Sequence, residues 1–251
     1  MGILTVKQES LKEIANAIRS KSEENSSLIF PDDFISAINN LGKGLKAPDN
    51  AIYQITEWSE DGFPASIKYK IPSDISDNSI PEYAFGNPNQ NIVIYAKVKN
   101  VEISDKPTIA GNYSFQNCLS LNTISCYEDL TEIGMGAFQN TDLIYDHLPP
   151  KVVTIKTNAF NNVHFYFEEI PRTVQTIGGN AFYANSKISS IKFMGVPLSI
   201  SSTSFRTSFL TDIYVPWAEG AIPNAPWGAT NATIHYNTSY DSDGNPIEEG
   251  T

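Results

Sequence analysis

Five short segments of this chain run from an isoleucine through a polar stretch to Ala-Phe or Ser-Phe: residues 80–85, 133–138, 155–160, 177–182 and 200–205. A sixth, Ile109–Phe115, carries the same pattern with one extra residue. From Phe115 the anchors recur at Phe138, Phe160, Phe182 and Phe205, in steps of 23, 22, 22 and 23 residues. So regular a period marks stacked coils, each burying its apolar side chains against its neighbours, and it outranks any local helix or strand preference. The spacing predicts a solenoid over residues 75–215.

Within each copy the Ile and Phe are separated mostly by Gly, Asn, Ser and Thr, which suits a tight turn or short helix with two inward anchors. A second apolar pair follows in the better copies: Leu121 and Ile124, Ile188 and Ile191, Leu210 and Ile213. That half reads as a strand. One strand and one compact turn in about 22 residues is leucine-rich-repeat arithmetic. The copies at Val163–Ile170 and Leu143–Pro150 are irregular, either as loops suited to binding or as drift.

The flanks differ. Residues 1–44 read as a helical docking segment of two helices. Thr5 and Gln8 fit a capping box, Leu11, Ile14 and Ile18 form one apolar stripe, and Phe34 and Ile38 lie on a second behind Pro31. These five apolar residues are the expected docking or oligomerisation face, or they pack only on each other. After a Gly/Pro linker, residues 51–74 read as a β-hairpin that covers the first coil. Residues 216–238, with Trp217 and Trp227 and no visible repeat, read as a C-terminal cap, and 239–251 as a flexible acidic tail. The fold class expected is α+β: a leucine-rich-repeat solenoid preceded by an N-terminal helical hairpin.

Charge narrows the partners. The chain carries −11 overall, and phosphate binders need basic stripes, so no nucleic-acid partner is expected. No apolar run reaches the roughly 18 residues of a membrane span, and the N-terminus has no leader-like run, so synthesis in a host cytoplasm without membrane insertion is expected. His147, His164 and His235 are far apart, in no metal or triad spacing. Asp241–Asn245 lacks the glycine and glutamate positions of a calcium loop. No phosphate loop, nucleophile elbow or paired carboxylates occur, so no catalytic, cofactor or metal residues are expected. Cys118 and Cys126 read as buried thiols, with a disulfide left open.

The motifs IGMGAF (133–138) and IGGNAF (177–182) resemble BspA-like leucine-rich repeats. Residues 55–64 (ITEWSEDGFP) resemble a hairpin preceding such repeats in phage-encoded proteins, and 215–237 resembles the end of the same group. Residues 4–38 are similar to a helical segment of tail and baseplate proteins of phages that infect Gram-positive bacteria. The resemblance implies a non-enzymatic virion component. Its partners would be other tail or baseplate proteins, further copies of itself, and a host cell-wall polysaccharide or surface protein. Tyr127, Tyr145, Tyr166, Tyr183 and Tyr214 lie between the anchors and are the expected surface-recognition aromatics, suited to sugar stacking and protein contact alike. A bacterial cell-surface adhesin of the same repeat type is the competing reading.

Overall fold

The computed structural model describes residues 53–59, 64–71, 73, 75, 77–86, 97–163, 166–206, 209–241 and 246–247. The expected helical segment 1–44, with Leu11, Ile14, Ile18, Phe34 and Ile38, lies outside them. Among the described residues there is no α-helix, only one 3-10 turn at Tyr127–Asp129. The architecture is a β-solenoid of about six turns.

A regular coil contributes two short strands where the sequence predicts one. The strands in chain order are β1 (Tyr53–Trp58), β2 (Pro64–Tyr69), β3 (Ser79–Ile80), β4 (Asn100–Ile103), β5 (Ile109–Ala110), β6 (Thr123–Ile124), β7 (Glu132–Ile133) and β8 (Thr154–Ile155). They continue with β9 (Glu169–Ile170), β10 (Thr176–Ile177), β11 (Ser190–Phe193), β12 (Ser199–Ile200), β13 (Asp212–Tyr214), β14 (Thr233–His235), β15 (Ser239–Tyr240) and β16 (Pro246–Ile247). The first ladder is in two parts, β1-β2-β4-β6 and β9-β11-β13-β14, whereas the second runs unbroken as β3-β5-β7-β8-β10-β12. Apart from the antiparallel β1–β2 pair, all strands within the ladders pair in parallel. The repeat isoleucine thus sits in a strand of its own, because its carbonyl accepts an N–H from the next coil, as Ile133 does from Lys156 at 3.0 Å.

Register corrects one reading of the repeat. Ala110 stands opposite Ile80 and Ile133 and is fully buried, so the copy before Phe115 has Ala in the isoleucine place and no extra residue. The same holds at the far end. Strand β14 pairs with β13, and the N–H of Phe205 bonds to the carbonyl of Trp227 at 2.9 Å, so residues 216–238 contain part of a further coil.

Inside, Phe85, Phe115, Phe138, Phe160, Phe182 and Phe205 form one stack, with centroids 5.1–5.8 Å apart and planes within 12° of parallel. Burying each such ring contributes about 1.5–3 kcal/mol of apolar transfer. Tyr69 closes the stack edge-on at one end, 5.3 Å from Phe85, and Phe193 does so at the other, 6.0 Å from Phe205. Trp217 and Trp227 pack on Phe193.

Left-handed residues explain why the polar stretch turns without becoming a helix. Asn158 and Asn162 flank Phe160 two residues to either side with φ of 57° and 55°, and Gly136 and Asn140 flank Phe138 at 58° and 58°. Two left-handed residues in five cannot continue a right-handed helix, and Asn and Gly adopt that conformation at least cost. Around each anchor alternate N–H groups then point at the next coil: Gly136, Phe138 and Asn140 donate to the carbonyls of Thr157, Ala159 and Asn161 at 2.9–3.0 Å. Asparagine side chains reinforce this column. Asn140 donates to Asn117 Oδ1 at 2.6 Å and Asn162 donates to Asn140 Oδ1 at 2.9 Å.

At its first strand the second ladder lacks two of the donors that later coils turn toward their neighbour. Pro81 occupies the place where Gly111, Gly134, Lys156, Gly178 and Ser201 each donate to the preceding coil. The Ser79 N–H and hydroxyl are both held by Asp77 Oδ1, at 3.1 and 2.6 Å, and that hydroxyl bond lowers the Asp77 pKa. Pro and local capping are familiar ways to blunt a sheet edge.

Candidate recognition surface

Parallel register stacks identical repeat positions along the axis, so side chains facing outward from the second ladder form rows. Thr154, Thr176 and Ser199 are aligned partners in one row, beside a second made of Lys156, Gly178 and Ser201. Together with Met135 and Thr157 they line a shallow groove of about 420 Å³. Gly178 keeps the floor low. A Cβ there would lie 2.5 Å from the Thr157 backbone nitrogen, so no larger residue fits without moving the chain. The groove's one charged side chain, Lys156, pairs with Glu132 at 2.6 Å.

At the N-terminal end of this face stands an aromatic column absent from the expected set. Tyr83 and Tyr113 occupy the position two residues before their anchors, where later coils carry Gly136, Asn158 and Asn180. Both tyrosines are left-handed, with φ of 57° and 55°, an uncommon conformation for an aromatic residue and one that costs on the order of 1 kcal/mol or more. Their rings stack at 5.1 Å. The Tyr113 ring lies over Gly136, whose Cβ would come within 2.7 Å of it, and its hydroxyl donates to the Met135 sulfur at 2.7 Å. The shared offset from the phenylalanine was the sequence signal for this pair.

The expected aromatics do not form one surface. Tyr127 is only 1% exposed and is a core residue, which corrects its assignment to the surface. Its ring stacks on Tyr145 at 3.7 Å and its hydroxyl donates to the His147 carbonyl at 2.9 Å. Tyr145 is half-buried, and its hydroxyl accepts from the Ile124 N–H at 3.0 Å and donates to the Ile124 carbonyl at 2.8 Å. Burial pushes its pKa up to about 12. Tyr214 is half-buried and stacks on His235 at 4.3 Å. Tyr166 and Tyr183 are the exposed pair, at 45% and 40%. The first bonds Glu168 and the second lies 5.9 Å under the Arg206 guanidinium.

The irregular segments each contribute apolar residues to the core. Leu143 and Leu148 are buried, as are Val163, Phe167 and Ile170. Leu143–Pro150 spans the gap between the two parts of the first ladder.

The titratable groups offer little reactivity. Both cysteines are free and buried, and burial raises the Cys118 pKa strongly and pushes Cys126 up to about 12, so neither is a ready thiolate. His147 bonds Asp146 at 2.8 Å and Glu128 at 3.0 Å, and the Asp146 bond leads in raising its pKa. The same contact lowers the Asp146 pKa. Asp212 is lowered chiefly by His235, 2.8 Å away. Among the described residues no group of three or more His, Cys, Asp or Glu side chains is placed to hold a metal ion, and no helix is long and apolar enough to cross a membrane.

A family model described as the BspA type leucine rich repeat region matches residues 78–211 in six copies. No curated protein and no solved structure matches the chain. Leucine-rich-repeat solenoids are typically non-enzymatic binding scaffolds, and repeats of this type suggest a surface or adhesion-like protein. The match covers more than half of the 251 residues and coincides with the coils described above, and the chain belongs to the BspA-type leucine-rich-repeat family.

Proposed function

We propose that this protein is a non-enzymatic adhesion scaffold carried on a phage tail or baseplate, with the solenoid facing the host envelope. The observation that carries the adhesion reading is the division of labour in each coil. Ile and Phe rungs are spent on a shared spine, and over β8, β10 and β12 the outward positions Thr154, Thr176 and Ser199 are left as an aligned polar face. Several weak contacts on such a face, multiplied over many copies on one particle, give high avidity without a deep pocket. The virion placement is supported by the resemblance of residues 4–38, 55–64 and 215–237 to phage proteins. Residues 1–44 would attach the chain to other tail proteins and to further copies of itself.

Two measurements test this. Mass spectrometry of purified particles should find the chain in the tail fraction, and deletion of residues 1–44 should leave a folded solenoid that no longer joins the particle. Retention of the recombinant chain on Gram-positive cell walls or whole cells tests adhesion separately. The family match fits a bacterial cell-surface adhesin equally well. Recovery of the chain from the bacterial surface, with none in particles, would select that reading.

A further inference from the structure

We propose that the groove over β8, β10 and β12 binds an uncharged, hydroxyl-rich polysaccharide chain lying along the solenoid axis. This inference rests on the adhesion reading and adds the ligand class and its seat.

Unused hydrogen-bonding capacity is the first reason. At one register position on the coils the hydroxyls turn back to the fold: Thr131, Thr173 and Thr211 donate to carbonyls of the preceding coil, those of Thr108, Pro150 and Ser189, at 3.0–3.2 Å. Ser204 bonds three carbonyls. In the groove, the hydroxyls of Thr154, Thr157, Thr176, Ser199 and Ser201 have no protein partner among the described residues. Each is both donor and acceptor, which matches sugar hydroxyls of either polarity.

Spacing is the second. Thr154, Thr176 and Ser199 are direct partners on adjacent parallel strands, so their hydroxyls recur about every 4.8 Å along the axis. An extended peptide rises about 3.3 Å per residue and turns alternate side chains away, so it falls out of step with this row. A chain of sugar rings carries hydroxyls on every unit and keeps contact along the row.

Charge is the third. The one cation of the lining is already neutralised by Glu132, in a chain of net charge −11. An anionic polymer finds no free positive partner in the groove, and a basic peptide finds no free carboxylate. An uncharged polymer matches what is there. Met135, backed by Tyr113 and Tyr83, supplies an apolar wall at one end.

The test uses the full chain on an array of defined neutral, N-acetylated and acidic oligosaccharides. The wild type should retain neutral or N-acetylated members over acidic ones. The triple variant T154A/T176A/S199A and the groove-filling Ser201→Arg should each weaken binding at least tenfold with unchanged circular dichroism. Tyr166→Ala and Tyr183→Ala should stay within twofold. Equal binding by both groove variants, a preference for acidic members, or no binding to any uncharged member overturns the proposal. Cell-wall retention separates the two ideas. A wild-type chain retained on walls, with groove variants retained equally, removes the groove and leaves adhesion standing; a folded wild type that walls do not retain removes adhesion itself.

Discussion

The two ladders of this solenoid are built from the same coils but tolerate irregular sequence differently. The second needs only two residues per coil, one of them pointing inward, and its six strands run unbroken past every irregular copy. The first breaks between β6 and β9, where Leu143–Pro150 replaces a strand. There a side chain substitutes for backbone. The Tyr145 hydroxyl takes both the N–H and the carbonyl of Ile124, and Tyr127 beneath it holds the backbone at His147. A buried backbone group needs a partner but does not require a particular one. The ladder of two-residue strands survives drift by demanding little, and the other survives by repair.

The comparison can be broken most forcefully at the spine common to both. Phe138 lies in the stack beside the gap, flanked by Phe115 and Phe160 at 5.3 and 5.5 Å. Phe138→Ala should cost about 3–5 kcal/mol in urea unfolding. A loss under 1 kcal/mol would mean the coils do not share one core.

Tyr145→Phe sharpens the contrast. Removing the hydroxyl leaves both Ile124 groups without their partner, at a cost of about 1–3 kcal/mol, and the Ile124 amide should exchange faster with solvent. Thr154→Val on the unbroken ladder removes no protein contact and should stay within about 0.5 kcal/mol. Equal effects at the two sites would undo the idea of repair.

A smaller effect is expected in the turn column. Asn140→Ala removes two side-chain bonds and places Ala at a φ of 58°, for a loss of about 1–2 kcal/mol. Asn140→Gly, which keeps the conformation and loses only the bonds, should recover part of it.

The smallest effect is pH dependence at the gap. The His147 pKa is raised, so its contribution is fully present below the ordinary value of 6.5 and is lost as pH rises through the higher folded value. The Asp146 pKa is lowered, so its contribution is present above the ordinary 3.8 and disappears as pH falls through the lower folded value. Both groups face solvent, so the slope should be shallow. His147→Gln should flatten the Tm–pH curve at its alkaline limb; an unchanged curve would show that the pair does nothing for stability.

The Ile and Phe rungs were legible in the sequence because a spine demands large apolar side chains at a fixed interval, and such residues are easily seen. What escaped were positions where a coil meets the same demand differently. Ala110 fills an isoleucine place beside a distracting Ile109, and Trp227 accepts the bond from Phe205 in a stretch with no visible phenylalanine motif. Tyr127 was assigned outward because it lies between two anchors, yet its ring is in the core, stacked on Tyr145. The groove was least visible. It is made by small residues, Gly178 and Ser201 among them, and by hydroxyls that bond nothing, and neither leaves a hydrophobic signature.

The blunted first strand has a consequence for crowding. Parallel coils are natural templates for end-to-end growth, since the last carbonyls of one molecule could seat on the first amides of another. With Pro81 offering no amide hydrogen and Asp77 occupying that of Ser79, the junction lacks two of its donors. End-to-end growth through these two positions of the ladder is thereby disfavoured.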